Sequence, residues 1–521
     1  MYTPRLSLGT LRQTFGPRLA PYTHHLERLG FLAYLALLTM ALVKLAALRP
    51  LWYDELFTLH LARVASLPDL FGHLAAGVDL NPPFTYILTR FSILLFGEAE
   101  WAVRLPAILG LLLGLTCFYS FLHRRLGFWP AMLAVTVVVA PIKVWTYFLE
   151  ARPYGLAFGF SALALLCWQR CGDDIPRRRW LFGLAMAAIL GISTHYYFAV
   201  TLAALGYAEL IRWAVRRKVD AWPMLAMAMG GVALAAWYPL WSVAPRDYSA
   251  GFWAKVMFTR GTIEDTYLSF FDKTAMLPLL IAIAAGVLAP LAPLRGEGLG
   301  VRGGPALRLE ERVALVALLA GPVLGVALGS YLTGGFFYRY VLPASLGFAG
   351  LFALLLHRAS SSKWPLVLAT FAFISFGITG GTKQYREFFQ HEKNLVAQLH
   401  TVLNQHCGHN MVIIETGFEF ARAWHYDTGR EYEPVFLADA ERARYYTQVD
   451  TTERAVQLLK RVTPVPAVTS DEVITTMNSG KAVYYYGPAT AWGYKDLTAR
   501  GIAFDIVAER PDGSVYRLRK N

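Results

Sequence analysis

Long apolar runs separated by short polar segments make up residues 29–380, and a shorter-period pattern follows them. The runs at 29–48, 103–122, 129–148, 153–170, 180–194, 196–213, 223–242, 274–294, 313–332, 340–357 and 364–380 approach the roughly 20 residues a helix needs to cross a bilayer. They predict about eleven membrane-spanning helices. One apolar segment departs from the pattern. "PPFTYILTRFSILLFG", residues 82–97, is short and carries Arg90 near its middle. That predicts a helix lying on or dipping into the membrane surface rather than crossing it. "DELFTLHLARVA" and "SLPDLFGHLAAG" read as two further surface helices, the second opened by Ser66 and Pro68. Residues 49–102 then form one long loop between the first two spans.

Beyond residue 381 the long apolar runs stop. "KQYREFFQHEKNLVAQLHTVL" has a helical pattern, while "MVIIE", "AVYYYG" and "IAFDIVAE" are strand-like, with helical stretches between them. The expected architecture is an α-helical polytopic membrane protein with a C-terminal α/β soluble domain. Residues 1–381 form the membrane domain, with 49–102 as its functional loop, and residues 382–521 form the second domain. No Gly-rich phosphate loop opens a helix of the tail, so no nucleotide site is indicated.

Composition agrees: 55% of the 521 residues are hydrophobic and 16% are charged, against about 25% charged in soluble domains. The net charge of +13 is not that of a nucleic-acid binder, because its cations sit in short loops such as "HRRLGF", "RCGDDIPRRRW", "RWAVRRKVD" and "HRASSSK" rather than on one soluble face. By the positive-inside rule those loops and the N-terminus are cytoplasmic, and the 49–102 loop and the C-terminal domain are external. The first apolar run is longer than the roughly 7–15 residues of a signal-peptide core and reads as an uncleaved span. The four cysteines show neither metal-ligand spacing nor a disulfide framework and read as small buried hydrophobes.

Chemistry is therefore sought among the charged groups at the external helix ends. Asp54 and Glu55, in "LWYDELFTLH", follow the first span by a few residues. A carboxylate there can act as a general base, or the two can simply favour the dipole of the helix they open. Asp79, in "GVDLNPPFTY", is a turn residue or a substrate contact. Glu150 and Arg152, in "YFLEARPYG", share a tight external turn. Arg152 can bind a phosphate through its planar fork, or the two can pair with each other. His195 and Tyr196, in "STHYYF", can orient a substrate or belong to the interfacial aromatic belt. Arg339 and Tyr340, in "GGFFYRYVLP", begin a late span. Lys44, Arg104, Lys143 and Arg339 each suit snorkelling, yet together they can surround a lipid phosphate.

In order, "DE" after the first span, "NPP", "FGEAEWAVRLPAILG", "EARPYG", "THYY" and "YRYVLPA" form a series. It resembles the bacterial relatives of protein O-mannosyltransferase and of the lipid A aminoarabinose transferase, in the glycosyltransferase C superfamily. The likeness covers most of residues 30–360. It implies a many-helix fold whose first external loop carries surface helices, and a polyprenyl-phosphate sugar as donor. It implies that Asp54-Glu55 is the first acidic motif and Glu150 the second acidic site. It also implies that Arg339 contacts phosphate. The aminoarabinose enzymes carry an acid–Lys–Pro element in the first loop. Asp79-Leu80-Asn81-Pro82-Pro83 has no Lys, so their sugar and acceptor do not carry over.

The expected activity is inverting transfer of a sugar from a polyprenyl-phosphate donor to an envelope acceptor at the outer face of a bacterial cytoplasmic membrane. Asp54 is the general base, with Glu55 or Glu150 assisting. Arg339, Arg152 and Lys143 bind the donor phosphate, and Asp79, His195, Tyr196 and Tyr340 bind substrate. A metal-independent reaction is preferred, with Mg²⁺ or Mn²⁺ as the alternative. If Mg²⁺ or Mn²⁺ takes part, Asp54, Glu55, Asp79 and Glu150 are its ligands. Two other readings fit the acid–cation pattern: a transporter or lipid flippase, and a transferase of a phospholipid head group.

Overall fold

The structure, a computed structural model, describes residues 8–173, 176–243, 251, 255–269, 307–360, 362–427, 429–510 and 513–520. Within these, the side chains of 8–23, 142–144, 380–381 and 384–393 lie outside the description. The first loop carries three helices: after α1 (Leu8–Leu48) come α2 (Tyr53–Arg63), α3 (Leu67–Ala75) and α4 (Phe84–Phe96). Then follow α5 (Glu100–Leu126), α6 (Phe128–Val139), α7 (Ile142–Leu149), α8 (Tyr154–Cys171), α9 (Arg177–Thr194), α10 (Phe198–Arg216), α11 (Ala221–Ala236) and α12 (Tyr238–Trp241). Beyond the undescribed stretch lie α13 (Leu309–Leu319), α14 (Gly321–Leu328), α15 (Ala344–Ala359) and α16 (Trp364–Cys407).

The His24–Leu48 part of α1, α5 and α10 are each long and apolar enough to cross a membrane. Helices α13 and α14, with the turn after them, qualify as a pair bent by 47°. Shorter apolar helices include α4, α6, α11, α15 and the Trp364–Thr379 part of α16. The expected span at 274–294 lies outside the described residues.

Several expected spans differ from what is observed; 223–242, for one, is broken at Trp237 between α11 and α12. The run 129–148 is two helices, α6 and α7, broken at Ala140-Pro141, because Pro141 has no N–H to continue the ladder. The run 313–332 breaks at Ala320-Gly321-Pro322 and ends in a π turn over Gly329–Thr333. Conversely, 364–380 and the helix pattern that follows it are one unbroken helix, α16. The change of composition at 381–382 thus falls inside a helix.

Helices form where the pattern places the three of the first loop, but α2 is not a surface helix: Leu56, Phe57, Leu59 and Leu61 on it are all buried, in the core shared with the C-terminal domain. Ser66 caps α3, its Oγ accepting the Asp69 N–H at 3.2 Å. Phe91, Leu94 and Leu95 of α4 are exposed, as suits a helix lying against lipid. Arg90 donates to the carbonyls of Ala62 (3.3 Å), Val64 and Ala65 (2.9 Å), closing the C-terminal end of α2. Helices α5 and α8 approach through glycines: a Cβ added at Gly110 would lie 2.5 Å from the Gly155 carbonyl oxygen. Gly110 and Gly114, and Gly155 and Gly159, are two small-x-x-x-small pairs on facing helices. At the far end of the bundle from the Glu150 turn, Arg125 binds Glu311 at 2.8 Å and also pairs with Asp173.

The C-terminal domain holds a six-stranded sheet ordered β3-β2-β1-β4-β6-β5. Its strands are β1 (Met411–Ile414), β2 (Glu433–Leu437), β3 (Ala467–Val468), β4 (Val483–Gly487), β5 (Ile502–Ala508) and β6 (Ser514–Lys520). The first four in sequence pair in parallel, with helices as crossovers, while β6 runs antiparallel to both β4 and β5. The first crossover helix is α17 (Gly417–His425) and the second includes α18 (Ala440–Thr447) and α19 (Thr451–Leu459). One apolar core runs from this domain into the first loop, joining Leu51, Tyr53 and Phe57 to Leu399, Phe420 and Phe436.

Candidate active site

The turn that starts α2 brings Asp54 and Glu55 to very different places. Glu55 is fully buried. Arg104 of α5 grips it with two parallel bonds, Nε to Oε1 at 2.7 Å and Nη2 to Oε2 at 2.6 Å. The backbone N–H groups of Ala151 (2.7 Å) and Trp52 (3.1 Å) donate to the same carboxylate. Burial alone would raise its pKa, but the Arg104 guanidinium outweighs burial and holds it below the usual range. Every oxygen of Glu55 is engaged, and the Ala151 contact ties α2 to the turn that carries Glu150 and Arg152.

Asp54 faces outward from this clamp, with its side chain 22% exposed. Arg339 donates to its Oδ2 at 3.2 Å, and Arg152 lies 3.9 Å from the same oxygen. Arg152 also pairs with Asp79 and reaches the Asp54 carbonyl at 3.3 Å. Asp79 accepts the Leu80 N–H at 2.7 Å and the Asn81 amide at 3.0 Å, so it is a turn former and an ion-pair partner at once. Burial pushes its pKa up, but Arg152 reverses this and leaves it lowered.

Glu150, the C-cap of α7, is 2% exposed, and its Oε2 has no hydrogen-bond partner among the described residues. Burial pushes its pKa from the ordinary 4.5 up to about 7, opposed by Arg339 and Arg49 and reinforced by Glu55 and Asp54. Arg339, at the 3₁₀ turn Tyr338–Val341, is buried with its guanidinium over the rings of Phe337 (4.5 Å), Tyr154 (5.3 Å), Trp52 (5.7 Å) and Tyr147 (5.9 Å). Its Nε has no hydrogen-bond partner among the described residues.

His195, at the end of α9, is buried, and its Nδ1 accepts the Tyr197 N–H at 3.1 Å. Burial, with Arg152 and Arg339 nearby, pushes its pKa down to about 3, so the ring is neutral. It lies 4.8 Å from the Tyr340 ring, which in turn lies 6.3 Å from Tyr154. The Tyr196 hydroxyl is buried without a partner among the described residues. The side chain of Lys143 lies outside the described residues. The structure thus brings Asp54, Asp79, Glu150, Arg152, Arg339, His195 and Tyr340 to one end of the helical bundle, with Glu55 behind them.

Sequence reasoning placed Arg104 among the cations around a lipid phosphate, whereas its buried guanidinium is turned to Glu55 and to the carbonyls of Ala46, Arg49 and Pro50; it passed over Arg49, also buried. An arginine at the second position of the expected span 103–122 was the available signal for Arg104. It also missed the ring cage of Arg339, one member of which, Phe337, lies two residues before that arginine in "GGFFYRY". No three His, Cys, Asp or Glu groups converge as metal ligands among the described residues. Glu55 and Asp79 are turned to guanidinium groups, so the four-carboxylate metal set does not fit this arrangement.

A membrane-embedded helical bundle with an acid–arginine cluster at one end and an α/β domain beside it defines the class. Residues 80–242 match the family model of dolichyl-phosphate-mannose-protein mannosyltransferases. That segment includes Glu150, Arg152, His195 and Tyr196, but not Asp54 or Arg339. In fold the chain is similar to ArnT from Cupriavidus metallidurans in the apo state, with a TM-score of 0.58, 14% identity, and coverage of 94% of this chain and 98% of that one. It is likewise similar to ArnT bound to undecaprenyl phosphate, with a TM-score of 0.55, 16% identity and the same coverage. A weaker likeness, with a TM-score of 0.45 and 9% identity over 93% of this chain and 74% of that one, is to the oligosaccharyltransferase AglB from Archaeoglobus fulgidus. No curated protein matches the sequence. The chain resembles glycosyltransferase C proteins in the sequence of one segment and in its fold.

Proposed function

We propose that this protein is an integral membrane glycosyltransferase. It moves a sugar from a polyprenyl-phosphate donor to an envelope acceptor at the external face of the cytoplasmic membrane. About eleven spans put the N-terminus inside and the cluster outside. The observation that carries the reading is the unequal state of the acids around Arg339. Four carboxyl groups (Asp54, Glu55, Asp79, Glu150) meet four arginines (Arg49, Arg104, Arg152, Arg339). Arg104 neutralises Glu55, Arg152 pairs with Asp79, and burial pushes Glu150 up to about 7, so that it carries less negative charge near neutral pH than a free glutamate. That leaves a positive surplus suited to a lipid phosphate and one accessible carboxylate, Asp54, suited to a proton.

The reaction follows from that placement. The acceptor oxygen bonds to the anomeric carbon as the carbon–oxygen bond to phosphate breaks, inverting the centre. Asp54 takes the acceptor proton as general base. Arg339, with Arg152, meets the charge that grows on the departing polyprenyl phosphate. Glu55 holds the turn of Arg152 in place, and protonated Glu150 can donate a hydrogen bond to a phosphate or sugar oxygen. His195, Tyr196 and Tyr340 line the substrate side. Arginines can neutralise a monophosphate leaving group without a metal.

The test is transfer from labelled polyprenyl-phosphate sugars to an envelope fraction by the purified protein. Asp54→Asn should lose at least ~100-fold in kcat, the lower range of general-base catalysis. Near-normal transfer by that variant would remove Asp54 as the base. The same assay in EDTA should proceed unchanged, and loss restored by Mn²⁺ would overturn the metal-free reading. A transporter would move label across a liposome membrane with no product formed, and a head-group transferase would consume phospholipid.

A further inference from the structure

Four residues, 49–52, connect α1 to the helix that carries Asp54, and most of their backbone polar groups have named partners. Arg104 takes the carbonyls of Ala46 and Arg49 at 2.6 Å each, and that of Pro50 at 3.0 Å. The Trp52 N–H is held by Glu55, and the Trp52 carbonyl accepts from Glu55 and Leu56 as α2 begins. Pro50 has no N–H. The N–H of Leu51 finds its partner far along the chain: it donates to the Tyr426 hydroxyl at 2.7 Å.

Because the Tyr426 oxygen accepts from Leu51, its own proton points elsewhere, and it goes to Glu100 Oε1 at 3.2 Å. Glu100 lies one turn before Arg104 on the same face of α5, so Tyr426 and Arg104 grip the connection at successive turns of one helix. Tyr426 is itself fixed at the end of α17. Its N–H donates to the Arg422 carbonyl at 2.9 Å, and its carbonyl accepts from His400 Nε2 of α16 at 2.8 Å. At the start of α17, Phe418 lies 6.2 Å from the Trp52 ring and 5.2 Å from the Tyr53 ring. Tyr53 also reaches the Thr452 carbonyl at 3.4 Å. The residue after Tyr53 is Asp54.

We infer that Tyr426 is a positioning residue for Asp54, so that the C-terminal domain is a working part of the catalytic loop. Without the hydroxyl, the Leu51 N–H and Glu100 both lose a partner, and the connection is left with Arg104 and with the contacts of Phe418 and Thr452 at Trp52 and Tyr53. A displacement of about 1 Å there is enough to cost up to ~100-fold in turnover. The inference rests on the reading of Asp54 as the base.

The experiment uses the full-length protein in nanodiscs, with the labelled polyprenyl-phosphate sugar that the unaltered protein discharges. Tyr426→Phe should lower kcat by roughly 10- to 100-fold while leaving the donor KM and the melting temperature near their starting values. Hydrogen exchange of the amides at 51–55 should quicken, and that of α3 should not. A kcat within about twofold of the unaltered protein, or unchanged exchange at 51–55, overturns the inference. Should Tyr426→Phe fail to fold, Phe418→Leu offers the same two readings at a side chain that is 54% exposed. If the unaltered protein discharges none of the donors, the transferase reading fails, while the exchange measurement still decides whether Tyr426 holds this segment.

Discussion

Asp54 and Glu55 are adjacent, and a helix turns about 100° between neighbours, so one carboxylate faces Arg104 and the other Arg339. The same contrast separates both from Glu150, which is buried without a full set of partners. Its pKa is raised on folding, so the stability it contributes is present below about 4.5 and is lost as pH rises through about 7. Glu150→Gln should therefore melt with a flatter dependence between pH 5 and pH 8 than the unaltered protein. Glu415 and Glu453 of the C-terminal domain, also raised to about 7 by burial, keep their share in both proteins. Identical pH profiles from differential scanning would remove the raised pKa. Most members of the site were legible in sequence as charged groups at helix ends. Their division of labour was not. Nothing in "DE" says which acid meets an arginine 49 residues on, because that partner is set by how α5 packs.

At the level of the helix, glycine spacing carries more than the apolar pattern shows. The Gly155 position begins α8, two residues after the Glu150–Pro153 turn, and a Cβ there would lie 3.0 Å from the Ala107 carbonyl carbon. Gly155→Ala should push α8 from α5 and destabilise the protein by about 1–3 kcal/mol, the usual range for overpacking. An unchanged melting temperature in detergent would show that the two helices can separate without loss. Apolar runs located most of the helices, and Ser66 and Pro68 marked α3, because those signals are local. The breaks at Pro141 and at Ala320-Gly321-Pro322 were visible as residues but not as bends. A proline in an apolar run can kink a helix or end it, and the neighbours decide which. Strands β2, β3 and β6 were missed because each is short or interrupted by charge, as "SVYRLRK" is at an antiparallel position near the sheet edge.

The whole molecule couples the two domains through α16. Its 44 residues run for about 66 Å at 1.5 Å each, from an apolar stretch after Trp364 to Leu399 and Leu403 in the core shared with the first loop. The composition change at 381–382 suggested a boundary, and a boundary in a helix is no joint. What the helix transmits is rotational phase: each residue added within 384–393 would turn everything beyond it by about 100° and advance it by about 1.5 Å. One inserted alanine there should abolish most transfer while both domains still fold. Deleting one residue a turn later should restore activity, because Tyr426 then returns to Leu51. Full activity from the single insertion would mean that the domains find each other without α16. If phase does govern, the angular setting of the C-terminal domain over Asp54 is counted out in residues along one helix, and chain length between the domains is fixed as tightly as any side chain in the site.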